Sequence, residues 1–134
     1  MPRATRPAWR CRDARGAAVV DLVLVLVVLL PLVTAVLQVG LTLYVRNVLA
    51  SAASEGARHA AVLGNGPAEG RAEARDQITG ALSGRYAEGI SARPRVLGGA
   101  PAVEVRIEAT VPVLGLGGPG VSFTVSGSAV RELP

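Results

Sequence analysis

The sequence predicts an α+β membrane protein, with a long N-terminal transmembrane helix that extends outward, then a short helix and a small antiparallel sheet. Three observations predict this fold class: an unbroken apolar run from Ala17 to Leu37, a helical period that continues beyond it, and a period of two near the C-terminus. A chain of 134 residues has room for one membrane helix and one small domain.

The apolar run consists of 21 residues, Ala17 to Leu37, and its only ionisable side chain is Asp21. At about 1.5 Å of helical rise per residue it spans about 31 Å, the thickness of a bilayer core. The alternative is a cleaved signal peptide, with a mature protein that starts near residue 40. Signal peptides have a shorter apolar segment and a small-residue cleavage site, whereas this run continues into LQVGLTLYV. Its length favours a retained helix.

The charges predict the orientation of that helix. Five arginines and one acid precede Gly16, whereas nine arginines and eight acids follow Leu37. By the positive-inside rule we expect a basic cytoplasmic leader (1–16), a transmembrane helix (17–45) and an extracytoplasmic domain (46–134) in the cytoplasmic membrane. The basic residues flank a membrane span and have no aromatic platform beyond Trp9, which argues against nucleic-acid binding.

The helical period continues past Leu37, because residues 38–63 contain no proline and carry a stripe of mostly small apolar residues. The stripe consists of Leu41, Val45, Val48, Ala52, Ala53, Gly56, Ala60 and Leu63. Small residues allow another backbone to approach closely, so we expect helices to pack side by side through it. Glu55 precedes Arg58 and His59 by one turn, a spacing that favours an ion pair. The cluster from Gly64 to Pro67 ends the helix near Leu63.

The remaining elements are a weaker helix and three strands. The helix is expected between Ala68 and Tyr86, where apolar residues are sparse and glycines interrupt. Alternation of apolar and polar residues predicts a strand over Ala102–Val113 and an antiparallel partner from Val121. Pro94 cannot donate a hydrogen bond inside a sheet, so the sequence predicts an edge strand over Ile90 to Leu97.

No motif predicts catalysis, and we expect neither an enzyme nor a cofactor or metal site. Gly115, Gly117 and Gly120 match the dinucleotide fingerprint G-x-G-x-x-G, but Pro119 interrupts it and a strand pattern follows instead of the required helix. His59 lacks partners at metal-ligand spacing, and the serines lack a histidine base.

Asp21 calls for an explanation, because an acid within a membrane helix costs about 2.5 to 3.5 kcal/mol on insertion scales. One explanation is that it lies close enough to the cytoplasmic interface to reach headgroups or Arg15. The other uses its surroundings: a basic leader, then Gly16, an acid five residues later, and an apolar helix. In this form the segment resembles the recognition site of type IV prepilins. That resemblance implies cleavage between Gly16 and Ala17 and an assembly role for Asp21.

Three passages resemble the TadE-like family, pseudopilin-like components of tight-adherence pilus and related secretion systems. They are RGAAVVDLVLVL, VLQVGLTLYVRN and SEGARHAA, starting at Arg15, Val36 and Ser54. The last resembles a family segment of the type R-E-G-A-R, which implies a helix-packing role for Glu55 and Arg58. Family sites usually carry Glu where this chain has Asp21, so processing after Gly16 and an uncleaved anchor both stay open.

Together these features predict a minor pilin or pseudopilin component of a tight-adherence pilus or secretion system, which assembles through its N-terminal helix. Its expected partners are the lipid bilayer, other pilin-like subunits, the pilus or secretion machinery and a prepilin peptidase. The alternative is a signal-anchored extracytoplasmic binding or adaptor module that does not polymerise. The two hypotheses differ in whether function depends on Asp21.

Overall fold

The computed structural model describes residues 10–114 and 118–132, with side chains from residue 16 onward. It confirms the predicted α+β fold class. The elements are the helices α1 (Arg10–Ala61) and α2 (Pro67–Ala81), a 3-10 turn (Gly84–Ala87), and the strands β1 (Ile90–Leu97), β2 (Ala100–Val111) and β3 (Val121–Val130). The chain divides into two compact units, Met1–Leu37 and Gln38–Pro134.

In its described part, the first unit is helix α1 from Arg10 to Leu37. Every side chain from Gly16 to Val33 is exposed, as expected of a helix that is apolar on all sides. Pro31 lies inside the helix and cannot donate the usual backbone hydrogen bond. The Thr34 hydroxyl donates to the Leu30 carbonyl at 2.9 Å, a local bond from a threonine side chain to the backbone one turn earlier.

In the second unit, α1 is buried on one side only. Val45, Leu49 and Ala53 are at most 1% exposed, whereas the polar residues between them face outward. The helix ends at Ala61, which confirms an end near Leu63, and Gly64 supplies a positive φ of 88°. The stripe prediction was wrong at Leu63, which is 59% exposed because it lies beyond the helix end.

Helix α2 begins with Pro67, where a missing N–H costs nothing, and the Glu69 carboxylate accepts the Gly66 N–H at 2.9 Å. The helix was expected to reach Tyr86 but ends at Ala81. The physical reason is that Leu82 adopts an extended conformation with φ −133° and ψ 173°. Tyr86 follows in the 3-10 turn and is buried, as its apolar spacing predicted.

The three strands form an antiparallel sheet in the order β1-β2-β3. This order confirms that the strand with Pro94 is an edge strand and that the segment from Val121 pairs with β2. Gly98 and Gly99, with φ of 57° and 86°, form the two-residue β1–β2 turn, whose positive φ values favour glycine. Strand β2 ends at Val111 because Pro112 follows it.

The core of the second unit lies between one face of the sheet and the two helices. Ile107 and Val105 in β2 pack with Leu49 of α1 and Ile78 of α2. Helix α1 lies so close to β3 that a Cβ built on Gly127 would be 2.6 Å from the Ala53 carbonyl carbon. The other face of the sheet is polar. Its β2 and β3 residues include Glu104, Arg106, Glu108, Thr110, Ser122, Thr124, Ser126 and Ser128.

Candidate membrane anchor and assembly surface

The exposed apolar surface of α1 is the first component of the candidate site. Its large side chains between Val19 and Leu37 are 38% to 70% exposed, and the only charge among them is Asp21. One turn away from Asp21, at positions 17, 18, 24 and 25, every side chain is apolar. In a bilayer this carboxylate therefore needs a headgroup, the leader or another subunit as its partner.

Gly16 and Ala17, the residues of the predicted cleavage site, both lie in α1 and are exposed. Among the described residues, a Cβ built on Gly16 would meet no atom within 4 Å, so packing against them does not require glycine there. The glycine at this position is therefore free to serve a recognition role.

Glu55 and Arg58 form the expected ion pair on the exposed side of α1, with Oε1 and Nη1 3.4 Å apart. Their side chains are 49% and 73% exposed, so the pair contributes little to the stability of the chain itself. Because this face is uncovered, both residues are accessible to another subunit. Their helix-packing role stays a prediction.

The Ala and Gly stripe is covered by the domain of the chain itself. Ala52, Ala53 and Ala60 are at most 1% exposed, and a Cβ built on Gly56 would lie 2.5 Å from the Gly70 carbonyl oxygen in α2. The close backbone approach was predicted correctly. The prediction that helices of other subunits use this stripe was wrong, since α2 and the sheet already occupy it.

Gln38, the first residue of the second unit, holds the start of the β2–β3 connection. Its Nε2 donates to the Pro112 carbonyl at 3.2 Å, and its Oε1 accepts the Leu114 N–H at 2.8 Å. One amide side chain thus satisfies two backbone groups of a segment that has left the sheet. Sequence reasoning missed this contact. Pro112 and Leu114 are 74 and 76 positions after Gln38, and no local pattern links residues so far apart.

Glu104 is the buried acid of the sheet, with a side chain only 7% exposed. Arg93 and Arg95 on the neighbouring strand approach its carboxylate at 3.1 Å and 3.0 Å. Burial opposes ionisation, but the hydrogen bond from Arg93 and the charge of Arg95 outweigh it and hold the pKa of Glu104 below its ordinary value. Strand alternation alone predicted an ordinary surface acid. Only the pairing of β1 with β2 brings both arginines to it.

An open cleft lies beside the polar face of the sheet, lined by Arg85, Glu88, Glu108, Thr110 and Ser122 among others. Among the side chains described, those of residues 16–114 and 118–132, no group of three or more His, Cys, Asp or Glu residues is arranged to hold a metal ion. Gly115 and Gly117 of the rejected dinucleotide motif lie outside the described residues, and the element that follows is strand β3.

These features define a class of protein: a small α+β domain joined to one apolar helix that is compatible with a single-pass membrane anchor. The family model described as TadE-like protein matches residues 16–58 of this chain, which confirms the predicted resemblance. The match covers α1 from Gly16 through Asp21 to Arg58 and ends before α2 and the sheet. It points to tight-adherence pilus assembly. No match was found among curated proteins or among solved structures.

Proposed function

We propose that this chain is a minor pilin or pseudopilin component of a tight-adherence pilus or secretion system, with a structural role. The main support is the exposed apolar surface of α1, on which Asp21 is the acidic residue. This surface lies within the range that the TadE-like model matches. In this proposal residues 17–45 cross the cytoplasmic membrane, residues 1–16 are cytoplasmic and residues 46–134 lie outside. The excess of arginine before Gly16 supports that orientation.

The proposed assembly contact uses Asp21. Opposite unit charges 4 Å apart interact by about 4 kcal/mol at an effective dielectric constant near 20. That is comparable to the cost of about 2.5 to 3.5 kcal/mol for placing an acid in a membrane helix. A neighbouring subunit that offers a positive group, such as the new N-terminal ammonium of Ala17 after cleavage, would offset the cost. Assembly would then be favoured over the isolated helix.

The face that carries Glu55 and Arg58 is the proposed second contact between subunits. Unlike the Ala and Gly stripe, it is not covered by the domain. The partners of these contacts would be other pilin-like subunits and the assembly machinery, and a prepilin peptidase would act at Gly16.

The test uses the full chain in cells that assemble the pilus. Gly16→Leu should leave the leader in place, and Gly40→Leu is its control because Gly40 also has open space around it. Asp21→Ala should leave the protein in the membrane but reduce its amount in the sheared surface fraction at least tenfold. Asp21→Glu should restore it, and Asp76→Ala removes an exposed acid from α2 as a control.

Intact mass and terminal peptides identify the mature N-terminus, and quantitative immunoblotting measures incorporation. Normal processing of Gly16→Leu would rule out cleavage after Gly16. Normal incorporation of Asp21→Ala would rule out the assembly role of Asp21, and absence of the unmodified chain from the surface fraction would favour the non-polymerising anchor.

The alternative function, an anchored binding or adaptor module, is favoured by the uncovered polar face of the sheet. Its β3 residues are Ser122, Thr124, Ser126 and Ser128, all exposed. Such a module would bind its ligand equally well with Asp21→Ala. The third possibility, cleavage near residue 40, would remove Gln38 and both of its hydrogen bonds to the β2–β3 connection.

A further inference from the structure

We propose that the start of the β2–β3 connection, Pro112 to Leu114, is a second membrane contact that rests in the lipid headgroup layer beside α1. Gln38 holds it there. This inference requires that α1 crosses the bilayer, but it does not require processing, polymerisation or any pilus partner.

Gln38 is hydrogen-bonded to the β2–β3 connection through its side-chain amide. This residue follows Leu37 directly in the continuous helix α1, so its depth in the bilayer is set by the apolar run that precedes it. Its side chain donates to Pro112 and accepts from Leu114 at 3.2 Å and 2.8 Å. The two bonds tie the connection to the level where the apolar run ends.

The length of the apolar run sets the depth of Gln38 in a bilayer. The 21 residues from Ala17 to Leu37 fill a hydrocarbon core of about 30 Å. The next charged residue of α1 is Arg46, eight positions after Gln38 and so about 12 Å further along the helix. A headgroup layer is about 5 to 7 Å thick on each side. Gln38 thus lies at its inner edge and Arg46 beyond its outer edge.

Between Gln38 and Arg46, helix α1 has exposed apolar side chains. Val39, Leu43 and Tyr44 are 60%, 52% and 54% exposed, so the side of the helix away from the core remains apolar here. Tyrosine is enriched at membrane interfaces, where its ring is in an apolar layer and its hydroxyl is in water. This composition suits a helix whose first turn after Gln38 lies in the headgroup layer, with Tyr44 near the outer edge of that layer.

The β2–β3 connection is uncharged. Residues 112–120 contain no ionisable side chain, and Leu114 is 41% exposed. Strand β2 has 12 residues, or about 40 Å at 3.3 Å each, and its other end, where the β1–β2 turn lies, is the end near Glu132, whose N–H donates to the carbonyl of Ala61, 23 positions after Gln38 in α1. The charged residues Arg131 and Glu132 are at that far end, where Arg131 N donates to the Pro101 carbonyl. The end of the sheet tied to Gln38 thus continues into a connection without ionisable side chains.

The occupant is lipid rather than a second copy of this chain, because Gln38 is covalently next to the membrane run. A partner subunit would have to displace headgroups to reach the same side chains. The contact would fix the height of the domain above the membrane.

The experiment uses the full chain with Cys11→Ser, reconstituted in phosphatidylethanolamine and phosphatidylglycerol vesicles. An environment-sensitive nitrobenzoxadiazole label is attached at Leu114→Cys, at Ser126→Cys on the polar face of β3, or at Val28→Cys in the span. A lipid with a nitroxide near the glycerol backbone serves as quencher. We expect quenching at position 114 to exceed that at 126 at least threefold. Adding Gln38→Leu, which removes both hydrogen bonds, should reduce this difference by at least half.

Equal quenching at 114 and 126, with the label at 28 in a nonpolar environment, would overturn the inference while leaving the membrane span intact. A signal at 114 that falls on dilution of the protein in lipid would also overturn it, since that result indicates a second copy. Failure of the Asp21→Ala incorporation test would change neither of these two interpretations of the quenching data.

Discussion

The two parts of helix α1 share one secondary structure but differ in what surrounds them. From Gly16 to Val33 every side chain is exposed, whereas from Val45 to Ala61 one side is buried against the chain's own domain. The first part is apolar on all sides and requires lipid or other helices as its environment. The second is amphipathic and is specified by its own α2 and sheet. The two parts of one helix thus have different surroundings. The same substitution should therefore change the stability of the domain by different amounts in the two parts.

The largest expected difference comes from truncating a leucine in each part. Leu49→Ala removes a side chain that is fully buried, so the domain should lose about 2 to 5 kcal/mol of unfolding free energy. Leu30→Ala removes a side chain that is 61% exposed and should change domain stability by less than about 0.5 kcal/mol. Urea unfolding in mild detergent, followed by circular dichroism, measures both. Equal losses would contradict the division of α1 into two parts.

A smaller and sharper difference is expected between two glycines of α2. A Cβ on Gly70 would lie 2.5 Å from the Gly56 carbonyl oxygen and 2.6 Å from the Ala60 Cβ, so Gly70→Ala should destabilise the domain by about 1 to 3 kcal/mol. Gly80→Ala meets nothing within 4 Å and should stabilise it by up to about 1 kcal/mol through higher helix propensity. Opposite shifts in the denaturant midpoint are the predicted result. Two shifts of the same sign would mean that the helices do not cross closely at Gly56.

The smallest expected effect is the pH dependence from Glu104. The neighbouring arginines hold its folded pKa below the ordinary value of 4.5, so the carboxylate contributes stability that is fully present above that value. This contribution is lost as the pH falls through the lower folded pKa. Glu104→Gln should therefore lose less stability between pH 5 and pH 3 than the unmodified chain, with Glu88→Gln as the exposed control. The same acid sensitivity in Glu104→Gln would remove the carboxylate as its source.

Much of the fold followed from local pattern. The period of two located β2 and β3, Pro94 identified the edge strand, and the glycine cluster after Leu63 ended α1 within two residues. The end of α2 was missed because helix propensity does not show where a weak helix stops. The predicted apolar stripe of α1 also omitted Leu49, which is completely buried in the structure.

The contacts that sequence reasoning could not supply are all between distant segments. Gln38 holds Pro112 and Leu114, and Gly127 approaches Ala53. Such pairs depend on how elements pack and not on any local period. The anchor itself was more accessible, because length, hydropathy and the position of Asp21 are properties of one continuous segment that the TadE-like match also covers.

The central claim is that residues 17–45 cross the membrane with the leader inside and the domain outside. Labelling of single cysteines in spheroplasts with a membrane-impermeant maleimide tests it most directly, using native Cys11 and, in Cys11→Ser chains, Val28→Cys and Ser126→Cys. We predict labelling at 126 in intact spheroplasts, at Cys11 of the unprocessed chain only after permeabilisation, and at 28 only after detergent unfolding. Labelling of Cys11 from outside, or of Val28→Cys in the folded protein, would contradict the account.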